Sequence, residues 1–140
     1  MGLFKPAWQS EYQVKAERAV KKINNQNTLT RIAKESQHSS VRMMVAEKLI
    51  DQSLAQEIYA DIALNEKYEP RRIAAADKLL NNELAQATYI DIAKFQKGLG
   101  SMTFGNNYFE VLKKITDQDV LSSFLYLSKT NKGKKLSLNV

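Results

Sequence analysis

The residues of this sequence that could carry chemistry are one histidine and two aspartates that recur thirty positions apart. His38 is the single histidine of the 140 residues, and it lies in the polar segment 35–40. A histidine-based triad or an all-histidine metal cluster needs more than one ring, so we expect His38 to be a solvated loop residue. Asp61 and Asp91 could act as paired carboxylates in acid–base catalysis or in metal binding.

A structural role for the same two aspartates is the favoured interpretation. Recurrence at a fixed period is also what a ladder of ion pairs between repeats produces. We therefore expect Asp61 to lie near Arg42 or Arg72, and Asp91 near Arg72 or Arg71, with a small stabilising effect if the pairs are exposed. Tyr59 and Tyr89 recur in the same way. We interpret them as packing residues whose hydroxyls reach water.

The glycine-rich segment 98–107 invites interpretation as a phosphate-binding loop. No predicted strand precedes it, and no Lys-Ser or Lys-Thr pair follows Gly105, so the P-loop pattern is not met. Instead, Gly98 is expected to end a helix that a longer connection follows. No cofactor, metal or catalytic residue is predicted from the sequence.

The elements that position these residues come from an internal repeat. Residues 42–63 and 72–93 are identical at eleven of twenty-two positions when shifted by thirty. The shared residues of the first copy are Arg42, Ala46, Lys48, Leu49, Leu54, Ala55, Gln56, Tyr59, Asp61, Ile62 and Ala63. A period of this length indicates a repeat architecture, with room for two short helices in each unit.

Four related polar breaks separate the predicted helices, at 24–27, 50–53, 80–83 and 116–119. Their Asn, Asp and Ser side chains can accept hydrogen bonds from the first backbone N–H groups of the following helix. Ser39 or Ser40 is predicted to cap a helix over about 40–51, and Pro70 to open the next helix of this type.

The first helix is predicted over about 8–23, with Tyr12 on its apolar face. Leu3, Phe4 and Trp8 precede or begin it. We expect this cluster to fold over the first helix and close the open end of the core, as the end units of repeat proteins require. The alternative is an exposed apolar hook for a membrane or a partner.

The motif V-R-x-x-x-A-x-x-L at Val41, Arg42, Ala46 and Leu49 returns as Arg72, Ala76 and Leu79. It resembles HEAT-like (armadillo-type) repeats, and the opening MGLFKPAW is similar to that of small bacterial HEAT-like proteins. The resemblance covers about residues 15–127. It implies an all-α fold, an α-solenoid or superhelix of about four antiparallel helix pairs. We predict a single domain over 1–128, with units at about 8–36, 40–66, 69–97 and 107–128, and a basic, flexible tail over 129–140.

The resemblance also implies an inner surface that binds a partner, usually a protein, and no enzymatic activity. In HEAT geometry the helices that begin with Val-Arg line the concave side. The expected function is therefore a non-catalytic scaffold or adaptor for a protein or peptide. The predicted partner-binding residues are Arg42, Met43, Glu47, Arg72, Ala74 and Asp77.

The distribution of charge suggests an alternative partner. The net charge is +6 with a pI of about 9.5, yet residues 42–93 hold six basic against nine acidic side chains. A nucleic-acid solenoid needs basic groups along its whole length, so nucleic-acid or anionic-surface binding through the basic ends is the less favoured hypothesis. Its predicted residues are Lys129, Lys132, Lys134 and Lys135.

The remaining expectations concern location and assembly. The sequence contains no cysteine and no apolar run approaching the length of about 18 residues that a membrane span needs. We therefore expect a cytoplasmic protein without a transmembrane segment. Self-association through the end helices or Trp8 is left open.

Overall fold

The chain is helical throughout the part that the computed structural model describes, which is residues 4–99 and 105–132, with the side chains of the last helix described as far as Leu125. These ranges contain one short 3-10 helix, eight α-helices and no strand, which confirms the all-α prediction. In chain order the elements are the 3-10 helix Ala7–Gln9, α1 Gln13–Lys21, α2 Gln26–Glu35, α3 Ser39–Lys48, α4 Gln52–Asn65, α5 Glu69–Asp77, α6 Asn82–Gly98, α7 Asn106–Lys114 and α8 Gln118–Lys132.

The helices pack into two compact units, the first ending at Leu80 and the second beginning at Asn81. In the first unit, α1 packs against the 3-10 helix and against α3, while α3 also contacts α2 and α4, and α4 contacts α5. In the second unit, α6 packs against α7. The solenoid superhelix, the single domain over 1–128 and its four units stay predictions.

The four polar breaks end one helix and cap the next, as predicted. In each, an Asn or Asp side-chain oxygen accepts a hydrogen bond from the backbone N–H three residues later. The pairs are Thr28 N to Asn25 Oδ1 at 3.0 Å, Leu54 N to Asp51 Oδ1 at 3.1 Å, Leu84 N to Asn81 Oδ1 at 3.1 Å, and Val120 N to Asp117 Oδ1 at 3.1 Å.

The beginning of the chain departs from the predicted helix over 8–23. The 3-10 helix ends at Gln9, and α1 begins only at Gln13. Between them, the Ser10 hydroxyl accepts a hydrogen bond from the Tyr12 N–H at 3.1 Å, and this local bond competes with helical pairing. Tyr12 takes an extended conformation and its side chain is exposed, contrary to its predicted place in the core.

The residues of the N-terminal apolar cluster do not all behave alike: Trp8 fits the core-closing hypothesis and Phe4 does not. Trp8 is buried, with the Arg31 guanidinium 5.7 Å from the centre of its ring, so it covers the end of the core as expected. Phe4, in contrast, is 97% exposed. Leu3 lies outside the described residues.

The predicted apolar stripes form the core. Among the side chains with less than 2% exposure are Leu29, Ile32, Val41, Val45, Val111 and Leu112. Thr88, which replaces Ile58 in the later copy, is 1% exposed. Its hydroxyl donates to the Leu84 carbonyl at 2.9 Å, one turn earlier in α6, so this polar group is satisfied within the core.

Three glutamines at the repeat period join α2, α4 and α6 to the turns that end α3, α5 and α7, respectively. The side-chain amide of each one makes two hydrogen bonds to the backbone of the turn that ends the next odd-numbered helix. The bonds of Gln26 are to Lys48 O at 3.1 Å and Ile50 N at 3.0 Å; those of Gln56 are to Lys78 O at 3.0 Å and Leu80 N at 2.8 Å; those of Gln86 are to Lys114 O at 2.8 Å and Thr116 N at 2.9 Å. We call this set the glutamine ladder.

The glutamine ladder also shows how the first repeat differs from the second. Gln26 is the first residue of α2, whereas Gln56 is the fifth residue of α4. Because the two side chains make the same contacts, α2 lacks the first turn that α4 has. The polar break before α2 is therefore four residues closer to its ladder glutamine than the break before α4 is. For the same reason, the capping residues Asn25 and Asp51 are 26 positions apart rather than thirty.

We predict that Gln56→Ala lowers the free energy of unfolding by about 1 kcal/mol, because two hydrogen bonds to backbone groups are lost. Alanine is the better helix former, so the loss is not one of helical propensity. Urea unfolding followed by circular dichroism measures the change. Gln37→Ala is the control, because Gln37 is exposed and makes no hydrogen bond with the described residues. An effect of Gln56→Ala no larger than the control would show that the ladder adds nothing to stability.

Candidate functional site

A polar cleft of about 370 Å³ lies in the first unit, where α1, α3, α4 and the start of α5 meet. Nine of its ten lining residues are polar or charged, Ile62 being the exception. The charged members come from three helices and the residue after α4: Arg42 on α3, Asp61 on α4, Glu66 and, on α5, Arg71. This is the candidate functional site of the chain.

Arg42 joins three segments at one side of the cleft. Its Nη1 donates to Asp61 Oδ2 at 2.7 Å, and its Nε donates to the Ala33 carbonyl near the end of α2 at 3.2 Å. The other oxygen of Asp61 accepts from Asn65 Nδ2 at 2.8 Å. The hydrogen bond from Arg42, assisted by Asn65, holds the pKa of Asp61 below its ordinary value despite partial burial. The predicted pairing of Asp61 with Arg42 is confirmed.

Glu66 is the centre of a second group of contacts in the cleft. Its Oε1 accepts from the backbone N–H groups of Lys67 at 2.7 Å and Tyr68 at 3.1 Å. Its Oε2 accepts from the Ser39 hydroxyl and from Arg71 Nη1, the latter at 3.2 Å, and the same Arg71 nitrogen also donates to Ser39 Oγ at 3.0 Å. Burial by itself raises the pKa of Glu66, but these hydrogen bonds outweigh it and lower the pKa to about 2.

His38 lies at the edge of the cleft and is not the solvated loop residue that the sequence suggested. It is half-buried, and its Nε2 lies 2.8 Å from the carbonyl oxygen of Ser10. Since a carbonyl only accepts, Nε2 carries the proton in this bond. His38 is also the N-cap residue of α3, in place of the predicted Ser39 or Ser40, and its side chain makes no cap hydrogen bond. The ring instead ties the segment before α1 to the start of α3.

The predicted partner-binding residues occupy different positions on α3 and α5. Arg42 lines the cleft, and Arg72 repeats one of its contacts thirty residues later, since its Nε donates to the Ala63 carbonyl at 2.7 Å. Five residues of α-helix turn the chain by about 140° beyond a full turn, so Arg42 and Glu47 lie on different sides of α3. Outside the cleft, Met43 is half-buried, and the exposed members of the set are Glu47, Ala74 and Asp77.

The other predicted positions are described only in part. Lys134 and Lys135 lie outside the described residues, as do the side chains of Lys129 and Lys132. In the glycine-rich segment, Gly98 is the last residue of α6, as predicted, and Gly105 is the N-cap residue of α7. Asp91 is an exposed residue of α6 in the second unit.

Glu66 and Arg71 are the cleft residues that the sequence did not indicate as a site. A signal was present at the repeat period, because Ser36 and Glu66 are thirty positions apart and have the same local role. Ser36 Oγ accepts from the His38 N–H at 3.3 Å, as Glu66 Oε1 does from the Tyr68 N–H. A serine and a glutamate look unrelated in the sequence, so the equivalence becomes visible only through these contacts.

Within the described ranges, no three His, Cys, Asp or Glu side chains are grouped closely enough to hold a metal ion. None of the described helices combines the length and the apolar character needed to span a bilayer. No family model, no curated protein and no solved structure matches the chain.

Proposed function

We propose that this chain is a non-catalytic, HEAT-like scaffold that binds a protein or peptide, and that the polar cleft is part of its binding surface. The observation that carries the proposal is the internal pairing of the cleft's charges. Arg42 is paired with Asp61 at 2.7 Å and Arg71 with Glu66 at 3.2 Å. Pairing holds each charged side chain in one orientation, which favours selective recognition of a partner's polar groups.

The states of the cleft's acid and base groups favour binding over catalysis. Glu66 lies next to the Ser39 hydroxyl, but a carboxylate with a pKa of about 2 is a weak base at neutral pH. The imidazole of His38 is engaged with the Ser10 carbonyl through Nε2. Ser39 is therefore not paired with a group suited to remove its proton.

The proposal includes an α-solenoid arrangement of the repeats. Two sets of contacts recur at the thirty-residue period: the glutamine ladder, and the bonds of Arg42 and Arg72 to the carbonyls of Ala33 and Ala63. Such recurrence supports an α-solenoid in which α3 and α5 line the concave face. We also propose a cytoplasmic location, which the lack of cysteine in the sequence supports.

Affinity capture of the full chain from its native cells, followed by mass spectrometry, tests the scaffold function. Charge reversal at Arg42, Glu47, Arg72 and Asp77 is expected to weaken capture of the partner at least tenfold, the usual effect of losing a charged contact at an interface centre. The helical circular dichroism signal should be retained. Glu57→Lys, on the exposed side of α4, is the matched control. Undiminished capture by all four variants would contradict the assignment of α3 and α5 to the binding surface.

The alternative is binding of nucleic acid or an anionic surface through the basic ends. One observation favours it: α1 and the residue that follows it expose four cations, Lys15, Arg18, Lys21 and Lys22. If this hypothesis holds, a gel shift of the full chain with duplex DNA at low salt should decline steeply as salt is raised. Deletion of residues 129–140 should weaken the shift. The lack of any shift at low salt would exclude the hypothesis, and a shift that the deletion leaves unchanged would exclude the C-terminal lysines.

A further inference from the structure

The two guanidinium groups of the cleft have more hydrogen-bond donors than the surrounding residues use. A guanidinium carries five N–H groups. Arg42 directs one of them to the Ala33 carbonyl and one to Asp61, while Arg71 directs two to Ser39 and Glu66. Three N–H groups on each arginine therefore have no acceptor among the residues that the structure describes.

The carboxylates of the cleft are already paired with donors of the chain. Each oxygen of Asp61 accepts a hydrogen bond from a side chain, and each oxygen of Glu66 accepts two. The two acidic groups are thus occupied by donors from the chain itself. A ligand that brings acceptors therefore meets the unused N–H groups of both arginines in this cleft.

We propose that the cleft binds a carboxylate of the partner, from a chain end or from an Asp or Glu side chain. This inference rests on the proposed peptide-binding function. The side chains of Arg42 and Arg71 are only 24% and 23% exposed, so a charge-assisted bond to them is stronger here than on an open surface. A planar carboxylate matches the fork of a guanidinium with two parallel hydrogen bonds.

The charge of the cleft favours a carboxylate over a phosphate group. Asp61 and Glu66 balance the charges of the two arginines in the lining, and Glu17 on α1 also faces the charge of Arg71. A carboxylate brings one negative charge and a phosphate dianion brings two, so the repulsion from the fixed carboxylates is smaller for the carboxylate. The volume of about 370 Å³ is enough for a carboxylate with the adjoining part of a peptide. The exposed amide of Gln37 is placed at the lining to pair with the peptide backbone.

In the test, three N-acetylated tripeptides are titrated into the full-length, isotope-labelled chain. Binding is monitored through the NMR signals of the arginine Nε–H groups. The peptides are acetyl-Ala-Ala-Ala with a free carboxylate, the same peptide as its C-terminal amide, and acetyl-Ala-Glu-Ala amide. We expect saturable shifts at Arg42 and Arg71 with at least one of the carboxylate peptides, and at least tenfold weaker binding of the peptide without a carboxylate. Comparison of the two carboxylate peptides distinguishes a chain end from an acidic side chain.

Variants and competitors complete the test. Arg71→Lys keeps the positive charge beside Glu66 but loses the fork, so it should weaken carboxylate binding at least tenfold; Arg18→Lys, on the exposed side of α1, is the control. Equal binding of the amide peptide would overturn the carboxylate inference while leaving peptide binding intact. Three other outcomes would also overturn the carboxylate inference: binding of none of the three peptides, tighter binding of inorganic phosphate than of acetate, or unchanged affinity of Arg71→Lys. Affinity capture would still test the scaffold function separately.

Discussion

Acidification from pH 6 to pH 3 is expected to remove about 2 kcal/mol of stability through Glu66 alone. Its pKa is about 2 in the folded chain and near 4.5 without the contacts of the cleft. Because the folded pKa is the lower one, the stabilisation is fully present above pH 4.5 and is lost as the pH falls toward 2. The protonated acid accepts the hydrogen bonds from Ser39, Arg71 and the backbone of the α4–α5 turn less well.

Glu66→Gln isolates this contribution from those of the other carboxylates. The glutamine keeps one oxygen for the backbone N–H groups, but it places an NH₂ group against the donors of Ser39 and Arg71. The variant should be about 2 kcal/mol less stable than the natural chain at pH 6 and nearly equal to it at pH 3. Urea unfolding at both pH values measures the two differences, with Glu57→Gln as the control for neutralising an exposed carboxylate on α4. A difference that does not change with pH would refute the role given to Glu66.

Replacement of Lys48 by methionine is expected to cost about 2 kcal/mol. The Lys48 ammonium donates to three backbone carbonyls around the end of α1, those of Val20 at 3.0 Å, Lys21 at 3.2 Å and Ile23 at 2.5 Å. The carbonyls of Val20 and Lys21 lie in the last turn of α1, at the negative end of its dipole, and that of Val20 also accepts the Ile23 N–H at 3.0 Å. Methionine retains most of the apolar stem but leaves all three without the ammonium.

Lys78 provides a matched control for this prediction. It is thirty residues after Lys48, at the end of α5, but its side chain is exposed and makes no hydrogen bond with the described residues. Lys78→Met should therefore change the free energy of unfolding by less than about 0.5 kcal/mol. The comparison is made by urea unfolding of both variants at neutral pH. Losses of equal size would mean that the three carbonyl contacts of Lys48 are without energetic value.

The features that the sequence predicts correctly are those that local chemistry decides. The caps at Asn25, Asp51, Asn81 and Asp117 involve a side chain and an N–H only three residues away. The apolar stripes follow from helical periodicity alone. At the beginning of the chain, the same periodicity predicted one helix too long, because the bond between the Ser10 hydroxyl and the Tyr12 N–H interrupts it.

The cleft could be predicted only where its contacts follow the repeat. Arg42 and Asp61 are both among the identical positions, and their pairing was expected on that ground. The bond between Ser39 and Glu66 spans 27 residues, and that between His38 and Ser10 spans 28, but neither pair recurs in the sequence. Single long-range contacts of this kind leave no periodic trace, so the cleft as a whole becomes visible only in three dimensions.

The glutamine ladder has a consequence for the length of the connections between helices. Both ladder bonds of each glutamine are to backbone atoms, so they form whether the residue at the N–H is Ile50, Leu80 or Thr116; the Thr116 hydroxyl adds a further bond to Gln86 Oε1 at 3.3 Å. Gln26 and Gln56 reach a backbone N–H 24 residues ahead, while Gln86 reaches one 30 residues ahead. The six additional residues of the third interval leave the contact unchanged. The contact of Gln86 is thus independent of this difference in spacing, and we expect insertions between α6 and α7 to leave it intact.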